Sequence, residues 1–333
     1  MQTHKNELYL ESVNRYLTES FVEVVADVND SDAVLVPHYY AILMRKDSHY
    51  LETVHALSRK CKKPLILFAY GDSTEDITLS NTIVLRYSQY RSTQKPNEII
   101  MPPVAPDVGS DEGVTLREKT DSIPTVGFCG WADYKTNGDA FRAFLKNTYI
   151  ELLALVHNAP LVRARKKGIY FRQKALAVFQ KSTFVKTAFI IRKSHSLNKN
   201  LVSLNPSVAR SEFIENIRSV DLNLTTKGDG NAATRFYEIL SLGRIPLVID
   251  TDASLPLSHL IPYDEFSLFV PFTNLSNAPL IAHDWYRHMS SEEYSAKQKL
   301  AREYYLKYLR MDAFLKYIFS STEVLFGLVT REK

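Results

Sequence analysis

The sequence predicts an α/β protein built from two lobes, each formed around a mainly parallel sheet. Short apolar runs rich in Val, Ile and Leu alternate with longer stretches whose apolar residues recur at helical spacing, an order typical of parallel sheets covered by helices. The chain has 333 residues, which is enough for two domains that each bury a core. A polar, turn-rich stretch at 107–123 is the best candidate for the linker between the lobes.

The elements of the first lobe are predicted as a helix at 5–20, strands at 21–25, 33–37, 64–70 and 82–91, and a helix at 47–60. Parallel strands present ligands at their carboxyl ends, so polar residues that follow a strand are candidates for function. His38 and Asp72 both lie just past predicted strands. Capping of the next element is the alternative for Asp72, and packing or capping is the alternative for His38.

The second lobe is predicted to begin with a strand at 125–131 and to continue with strands at 185–192, 221–226, 245–249 and 266–272. Helices are expected at 139–157, 170–180 and 211–219, and from residue 285 to the end. Arg172 lies on the second of these helices, and Arg192 ends the strand that follows it. Both arginines are therefore candidates for binding an anion.

The stretch 228–250, GDGNAATRFYEILSLGRIPLVID, joins a glycine turn to a short helix and a buried strand. Gly228 and Gly230 allow a ligand to approach the backbone closely. Asn231 is predicted to cap a helix that begins at Ala232, and Gly243 is predicted to end it.

One polar face of this short helix carries Asn231, Arg235 and Glu238 at i, i+4 and i+7. A helix N-terminus that follows a glycine turn attracts anions, and the guanidinium of Arg235 suits a phosphate. Glu238 lies one turn further on, where a carboxylate could accept hydrogen bonds from a ribose diol. The alternative is an ordinary helix and strand with a surface Arg–Glu pair.

Composition limits the partners and the compartment. The net charge of +4 is too small to indicate nucleic acid as a partner. Residues 163–174 are strongly basic and suit a nucleotide diphosphate, an anionic lipid surface or solvent. No signal pattern, no long apolar stretch and only 2 cysteines lead us to expect a cytoplasmic protein, in which a peripheral contact with the inner face of the membrane is allowed.

Metal and hydrolase chemistry have little support in the sequence. Two DxD triplets, 30–32 and 250–252, are of a kind that can bind a divalent cation, but such short matches are common by chance. Cap chemistry explains the first triplet, and the second could touch a ligand without metal. The motifs of zinc proteases, serine hydrolases and P-loop NTPases are absent from the sequence. We therefore expect no metal and no cofactor.

Several motifs occur together along the chain: RFYE (235–238), GRIP (243–246), Asp250 followed by LP (255–256), DAVLVPHYY (32–40), KPLILFAYGDS (63–73), MPPVAPD (101–107) and PTVGFCG (124–130). Together, and in this order, they resemble the exostosin-like, GT47-type glycosyltransferases, particularly bacterial and viral members. Ala232, Ala233 and Thr234 stand where that family often has a serine or an aromatic pair before the arginine. The resemblance covers roughly residues 30–275.

The resemblance implies a GT-B fold, in which two Rossmann-like lobes enclose a cleft. Residues 1–120 would form the acceptor lobe and 121–285 the nucleotide-sugar lobe, and terminal helices at 286–333 would pack back on the first lobe. The protein would be an inverting glycosyltransferase, a monomer or a homodimer, that uses a nucleotide sugar, with UDP as the expected nucleotide. Its acceptor would be a glycan or a lipid-linked glycan.

The same resemblance suggests roles for individual residues. The donor would be bound by Arg235, Glu238, Asn231, Gly230, Arg192, Arg172 and Thr234. A carboxylate of the first lobe would deprotonate the acceptor hydroxyl, with Asp72 as the first candidate and His38 as the second. Two alternatives remain open: a metal-dependent GT-A transferase and a sugar-nucleotide or glycan-binding module without catalysis.

Overall fold

The structure is a computed structural model that describes residues 22–134, 136–192 and 205–330. The helix predicted at 5–20 lies outside the described residues. Strands alternate with helices along most of the described chain, and the strands form two parallel sheets, so the predicted α/β class is confirmed. In this part of the chain, no helix is both long enough and apolar enough to cross a membrane.

The strands in the described residues are β1 Val34–Tyr39, β2 Leu65–Ala69, β3 Thr82–Arg86, β4 Glu98–Ile100, β5 Thr125–Trp131, β6 Lys186–Arg192, β7 Leu222–Thr226, β8 Pro246–Asp250 and β9 Leu268–Pro271. The α-helices are α1 Tyr40–Lys46, α2 Ser48–Cys61, α3 Val108–Glu112, α4 Asn137–Val156, α5 Gly168–Gln180, α6 Pro206–Ser219, α7 Thr234–Ser241, α8 Tyr263–Phe266, α9 Ala278–Arg287, α10 Ser291–Tyr304, α11 Met311–Ile318 and α12 Thr322–Thr330. A π-helical turn, Tyr305–Leu309, connects α10 to the segment before α11.

The chain divides into two compact units. Among the described residues, the first contains 22–105, 254–260 and 306–330, and the second contains 106–134, 136–192, 205–253 and 261–305. The boundary therefore falls before the position predicted near residue 120, because the predicted linker contains α3, and Val108 of that helix packs in a core cluster with Ile239 and Leu242 of the second unit. At the other end, 286–305 belongs to the second unit and only 306–330 to the first.

The first unit contains a four-stranded parallel sheet with the order β1-β2-β3-β4. Its core is formed by apolar side chains of the first three strands, of α1 and α2 and of a following loop: Val36, Leu43, Leu51, Leu65, Leu67, Ile77 and Val84. The strand predicted at 21–25 is not formed over the described residues 22–25, where Val24 is 85% exposed. An apolar pattern alone was misleading there, because the described residues 22–25 do not pair with any strand of this sheet.

The second unit contains a five-stranded parallel sheet with the order β6-β5-β7-β8-β9. Its strands are therefore arranged 2-1-3-4-5 in order of sequence, which is a doubly wound topology. The chain continues from β5 to one side of the sheet and from β7 to the other side. In such sheets, ligands bind at the carboxyl ends of the two strands where the winding reverses, which here are β5 and β7.

A buried ion pair organises the loop that carries Asp72 in the first unit. Arg86, the last residue of β3, lies 2.9 Å from the carboxylate of Glu98 on β4, and both side chains are 1% exposed. The same guanidinium donates hydrogen bonds to the carbonyls of Ser73 and Glu75, at 3.2 and 2.8 Å. The ion pair thus ties the loop after β2 to the far strands of the sheet.

We expect Glu98→Ala to lower the free energy of unfolding by about 3–5 kcal/mol, because it leaves the charge of Arg86 buried without its carboxylate. The matched control is Asp76→Ala, which removes a partly exposed pair with Lys95 at 3.1 Å and should cost at most about 1 kcal/mol. Urea unfolding followed by circular dichroism compares the two. Equal losses in both variants would contradict the importance of the buried pair.

Candidate functional site

The carboxyl ends of β5 and β7 bring together backbone carbonyls and cationic side chains. β5 ends with Cys129, Gly130 and Trp131, and β7 is followed directly by Lys227. α7 starts after the turn that follows β7. We call this region of the second unit the switch-point site, after the reversal of winding between the two strands.

Arg235 on α7 is bound firmly to the end of β5. Its Nη2 donates a hydrogen bond to the carbonyl of Cys129. Its guanidinium carbon lies 4.1 Å from the centre of the Phe128 ring and 5.3 Å from that of Phe213, which are distances of cation–π contacts. Gly130 makes room for this arrangement, because a Cβ at that position would collide with Nη2 of Arg235.

Burial and like charge both act on Arg235. Its pKa is lowered to about 10. Removal from water is the largest cause, the charges of Arg172 and Arg192 act in the same direction, and Glu238 and Cys129 act in the opposite direction. The guanidinium remains protonated at neutral pH. Arg172 and Arg192 are thus close enough to lower the pKa of Arg235, and the three charges together would stabilise a bound anion.

Arg172 and Arg192 reach the switch-point site from neighbouring elements. Arg172, on α5, donates hydrogen bonds to the carbonyl of Trp131 at 3.0 Å and to that of Lys227 at 3.3 Å. Burial lowers its pKa as well. Arg192 ends β6 beside Trp131, and its Nη2 lies 2.7 Å from the carboxylate of Glu212. The structure therefore gathers the three arginines that the sequence analysis selected.

Lys227 is a further cation that the sequence analysis did not select. It is 5% exposed, its Nζ donates to the carbonyl of Ala164 at 2.7 Å, and burial lowers its pKa to about 8. The start of α5 packs tightly against this residue, since a Cβ on Gly168 would collide with the carbonyls of Lys227 and Gly228. The signal was available, because a lysine that directly follows a buried strand in this fold lies at the ligand edge.

Glu238 is paired in this structure. Its Oε1 accepts a hydrogen bond from Nη1 of Arg210 at 2.7 Å, and its side chain is 13% exposed while that of Arg210 is 38% exposed. Arg210 lies on α6, and no pattern in the sequence predicted a contact between α6 and α7. The Arg–Glu pair that was the alternative reading does exist, although the partner is Arg210 and not Arg235.

Asn231 holds the turn before α7 and does not cap the helix. α7 begins at Thr234, its N-cap is Ala233, and no side chain caps it, so the predicted cap was wrong. The amide of Asn231 donates to the carbonyls of Thr251 and Asp252 at 3.1 and 3.0 Å, and its Oδ1 accepts from Thr251 Oγ1 at 2.7 Å.

These contacts leave Asn231 with no exposed surface. They make it a positioning residue that joins the turn to the end of β8. Gly230 is buried in the same turn, and Thr234 is exposed at the first position of the helix. Of Gly230, Asn231 and Thr234, Thr234 is therefore the residue that a ligand could contact from solvent.

In the first unit, Asp72 is exposed in the loop after β2, two residues beyond the partly buried Tyr70. Burial is the main cause that raises the pKa of Tyr70, with smaller contributions from Tyr39 and Asp72. Asp72 is thus accessible, and its role as a base stays a prediction.

His38 lies within β1 and not past its end, at the position where the pairing of β1 with β2 shifts register. Its ring contacts that of Tyr50 edge-on at 5.5 Å. Burial lowers the pKa of His38, which favours the neutral imidazole. These contacts agree with the packing alternative.

The two DxD triplets differ in structure. Asp27 caps the short turn Val28–Asp30, which includes the first residue of the first triplet, and Asp250 at the end of β8 accepts a hydrogen bond from the backbone of Ala253 at 3.1 Å. Within residues 22–134, 136–192 and 205–330, no group of three or more His, Cys, Asp or Glu is placed to hold a metal ion. Independence from metal stays a prediction.

No protein-family model matches the chain, and a comparison with curated proteins finds no match. The function is therefore argued from the switch-point site itself. Its cations, carbonyls and helix N-terminus are suited to a ligand with a di-anionic group and a polyol.

Lys227 gives the site a measurable pH dependence. Its pKa falls from 10.5 to about 8 in the folded protein, so between these values the unfolded state binds more protons and stability rises with pH. Relative to Lys227→Met, the unfolding free energy of the wild type should rise by on the order of 3 kcal/mol from about pH 7 to pH 10.5.

Urea titrations of both proteins across this range measure the difference. The comparison cancels the titration of the tyrosines, which the two proteins share. A difference that is constant with pH would show that Lys227 is not desolvated.

Proposed function

We propose that the protein is an inverting glycosyltransferase that binds a nucleoside-diphosphate sugar at the switch-point site. UDP is the proposed nucleotide, and a glycan or a lipid-linked glycan is the proposed acceptor. The order of motifs that resembles the exostosin-like family supports this proposal, as does a site with the charge expected for a diphosphate.

The observation that carries the proposal is the convergence of Arg172, Arg192 and Arg235 on the carboxyl ends of β5 and β6 and on the start of α7. A diphosphate carries charges that guanidinium groups bind through paired hydrogen bonds. The start of α7 adds backbone N–H groups and a positive dipole end. Such groups, held in place before the reaction, stabilise the negative charge that develops on the departing nucleotide.

Glu238 is the proposed ligand of the ribose. Its carboxylate is already oriented by Arg210, and it would accept hydrogen bonds from a diol in that orientation. The doubly wound second sheet, together with a separate parallel sheet in the first unit, supports a GT-B-type fold as the finer description.

The direct test is to incubate the purified protein with a panel of nucleotide sugars and glycan acceptors and to measure the release of free nucleotide. Release with one donor, dependent on an acceptor, supports transfer. Binding of nucleotide without any release would favour a binding module. Activity that EDTA abolishes and manganese restores would favour the metal-dependent GT-A alternative.

For Arg235→Ala, we expect the affinity for UDP to fall by about 10- to 100-fold, because a charge-assisted hydrogen bond contributes about 1.5–3 kcal/mol. Glu238→Ala should weaken UDP binding as well and leave the affinity for inorganic pyrophosphate close to that of the wild type. Calorimetry with the two ligands separates the effects on diphosphate and ribose.

The control is Arg302→Ala in the same unit, which also removes a partly buried arginine, here from an ion pair with Asp107. This variant should lose stability and keep its affinity for UDP. If Arg235→Ala and Glu238→Ala both bind UDP as tightly as the wild type, α7 has no part in donor binding.

Asp72 is the proposed general base, because its carboxylate lies in an exposed loop at the end of β2, where a polar acceptor can reach it. Asp72→Asn keeps the shape of the side chain and removes the base. We expect turnover to fall by about 10²- to 10⁴-fold, with UDP affinity and melting temperature unchanged. If the variant transfers sugar at a near-normal rate, His38→Ala is the next variant to assay.

A further inference from the structure

α4 carries a large apolar face that the described protein leaves exposed. The exposed side chains are Phe141, Phe144, Leu145, Tyr149, Leu152, Leu155 and Val156, each between 52% and 77% exposed. Only Ile150 and Ala154 of this helix are buried. A set of seven large apolar residues in one place differs from the single exposed apolar residues that are normal on protein surfaces.

The seven side chains form one continuous stripe. With 3.6 residues per turn, they fall within an arc of about 140°, and the other residues in this arc are Asn137, Gly138 and Thr148. The arc contains no charged residue. Ile150 and Ala154 lie on the opposite side of the helix, so the stripe faces away from the contacts that hold α4 to the fold.

Cations border the stripe. Arg142 and Lys146 follow its edge on α4 and are exposed, and Arg165 and Lys167 are exposed in and just after the turn that packs against the helix. Residues 137–167 contain six Lys or Arg and two carboxylates. One of the carboxylates, Glu151, is already paired with Arg163 and Lys166, at 2.6 and 2.5 Å.

We propose that the stripe of α4 binds the surface of an anionic lipid bilayer, with the helix lying in the plane of the interface. An uncharged apolar arc with cations at its border is the pattern of interfacial helices, whose apolar side enters the boundary between headgroups and acyl chains while the cations contact anionic headgroups. The helix is too polar on its other side to span the bilayer.

The cations also argue against a second copy of the chain as the occupant. In a symmetric dimer, the same surface meets itself, so Arg142 and Lys146 of one copy would approach the cations of the other. Like charges placed together at an interface oppose association. An anionic bilayer removes this conflict, because it supplies the charge opposite to that of Arg142 and Lys146.

The test is flotation of the full chain with vesicles of phosphatidylcholine alone and with vesicles that also contain phosphatidylglycerol. We expect binding to the mixed vesicles, little binding to the neutral ones, and weaker binding as salt rises. Phe144→Glu and Leu152→Glu should each lower the partition coefficient by about tenfold or more. Lys146→Glu should lower it by about fivefold or more.

Two controls match these variants. Leu280→Glu places the same substitution on an exposed leucine of α9, and Lys299→Glu reverses an exposed charge on α10. Both should bind vesicles as the wild type does. Circular dichroism and the melting temperature should be unchanged in all five variants, since the substituted side chains are exposed.

The proposal is overturned if the wild type does not bind the mixed vesicles, or if Phe144→Glu and Leu152→Glu bind them as well as the controls do. Sedimentation velocity without lipid adds a second criterion. A wild-type dimer that Leu152→Glu dissociates, with no vesicle binding, would assign the stripe to a second copy of the chain. The assay uses neither donor nor acceptor, so its result is independent of the proposed transferase activity.

Discussion

The contact of Arg235 with the end of β5 is the interaction on which the switch-point site depends. The guanidinium lies against the ring of Phe128 and donates to the carbonyl of Cys129, which fixes the start of α7 relative to the sheet. Burial and the charges of Arg172 and Arg192 disfavour this arrangement. The fold thus keeps three like charges together, at a cost that a bound anion would offset. A diphosphate between them would both fill the site and relieve the repulsion.

The first unit handles a buried charge differently. Arg86 meets the carboxylate of Glu98 with both side chains 1% exposed, and its Nη1 and Nη2 donate to carbonyls of the loop after β2. That cluster is neutral and its hydrogen bonds are internal, as expected of a structural ion pair. The two arginines therefore differ in that Arg86 is neutralised by a carboxylate, whereas Arg235 lies close to two further cations. The contacts of Arg86 also explain why the loop of Asp72 can be exposed and still well positioned.

Local patterns predicted most of the elements, and contacts between distant segments explain the failures. The strands of both sheets follow from short apolar runs, and Arg172, Arg192 and Arg235 could be selected because each lies near the end of a predicted strand or at a helix start. The pairing of Glu238 with Arg210 joins residues 28 positions apart, and Asn231 is taken from its predicted cap by Thr251, 20 positions away. Neither contact could be predicted from helical or strand periodicity, because its two partners lie in different segments of the chain. The strand predicted at 21–25 failed for a related reason, since a strand needs a neighbour.

The composition of α4 is not explained by folding alone. The helix is held by a small buried face with Ile150 and Ala154 and by the ion pairs of Glu151 with Arg163 and Lys166. Polar residues on the outer face would serve helix formation as well as Phe or Leu does, because propensity there depends on unbranched side chains and not on apolarity. Exposed apolar surface instead lowers solubility and invites aggregation. A face of seven large apolar side chains bordered by cations therefore requires a surface outside this part of the fold, and an anionic bilayer satisfies both its apolar and its charged parts.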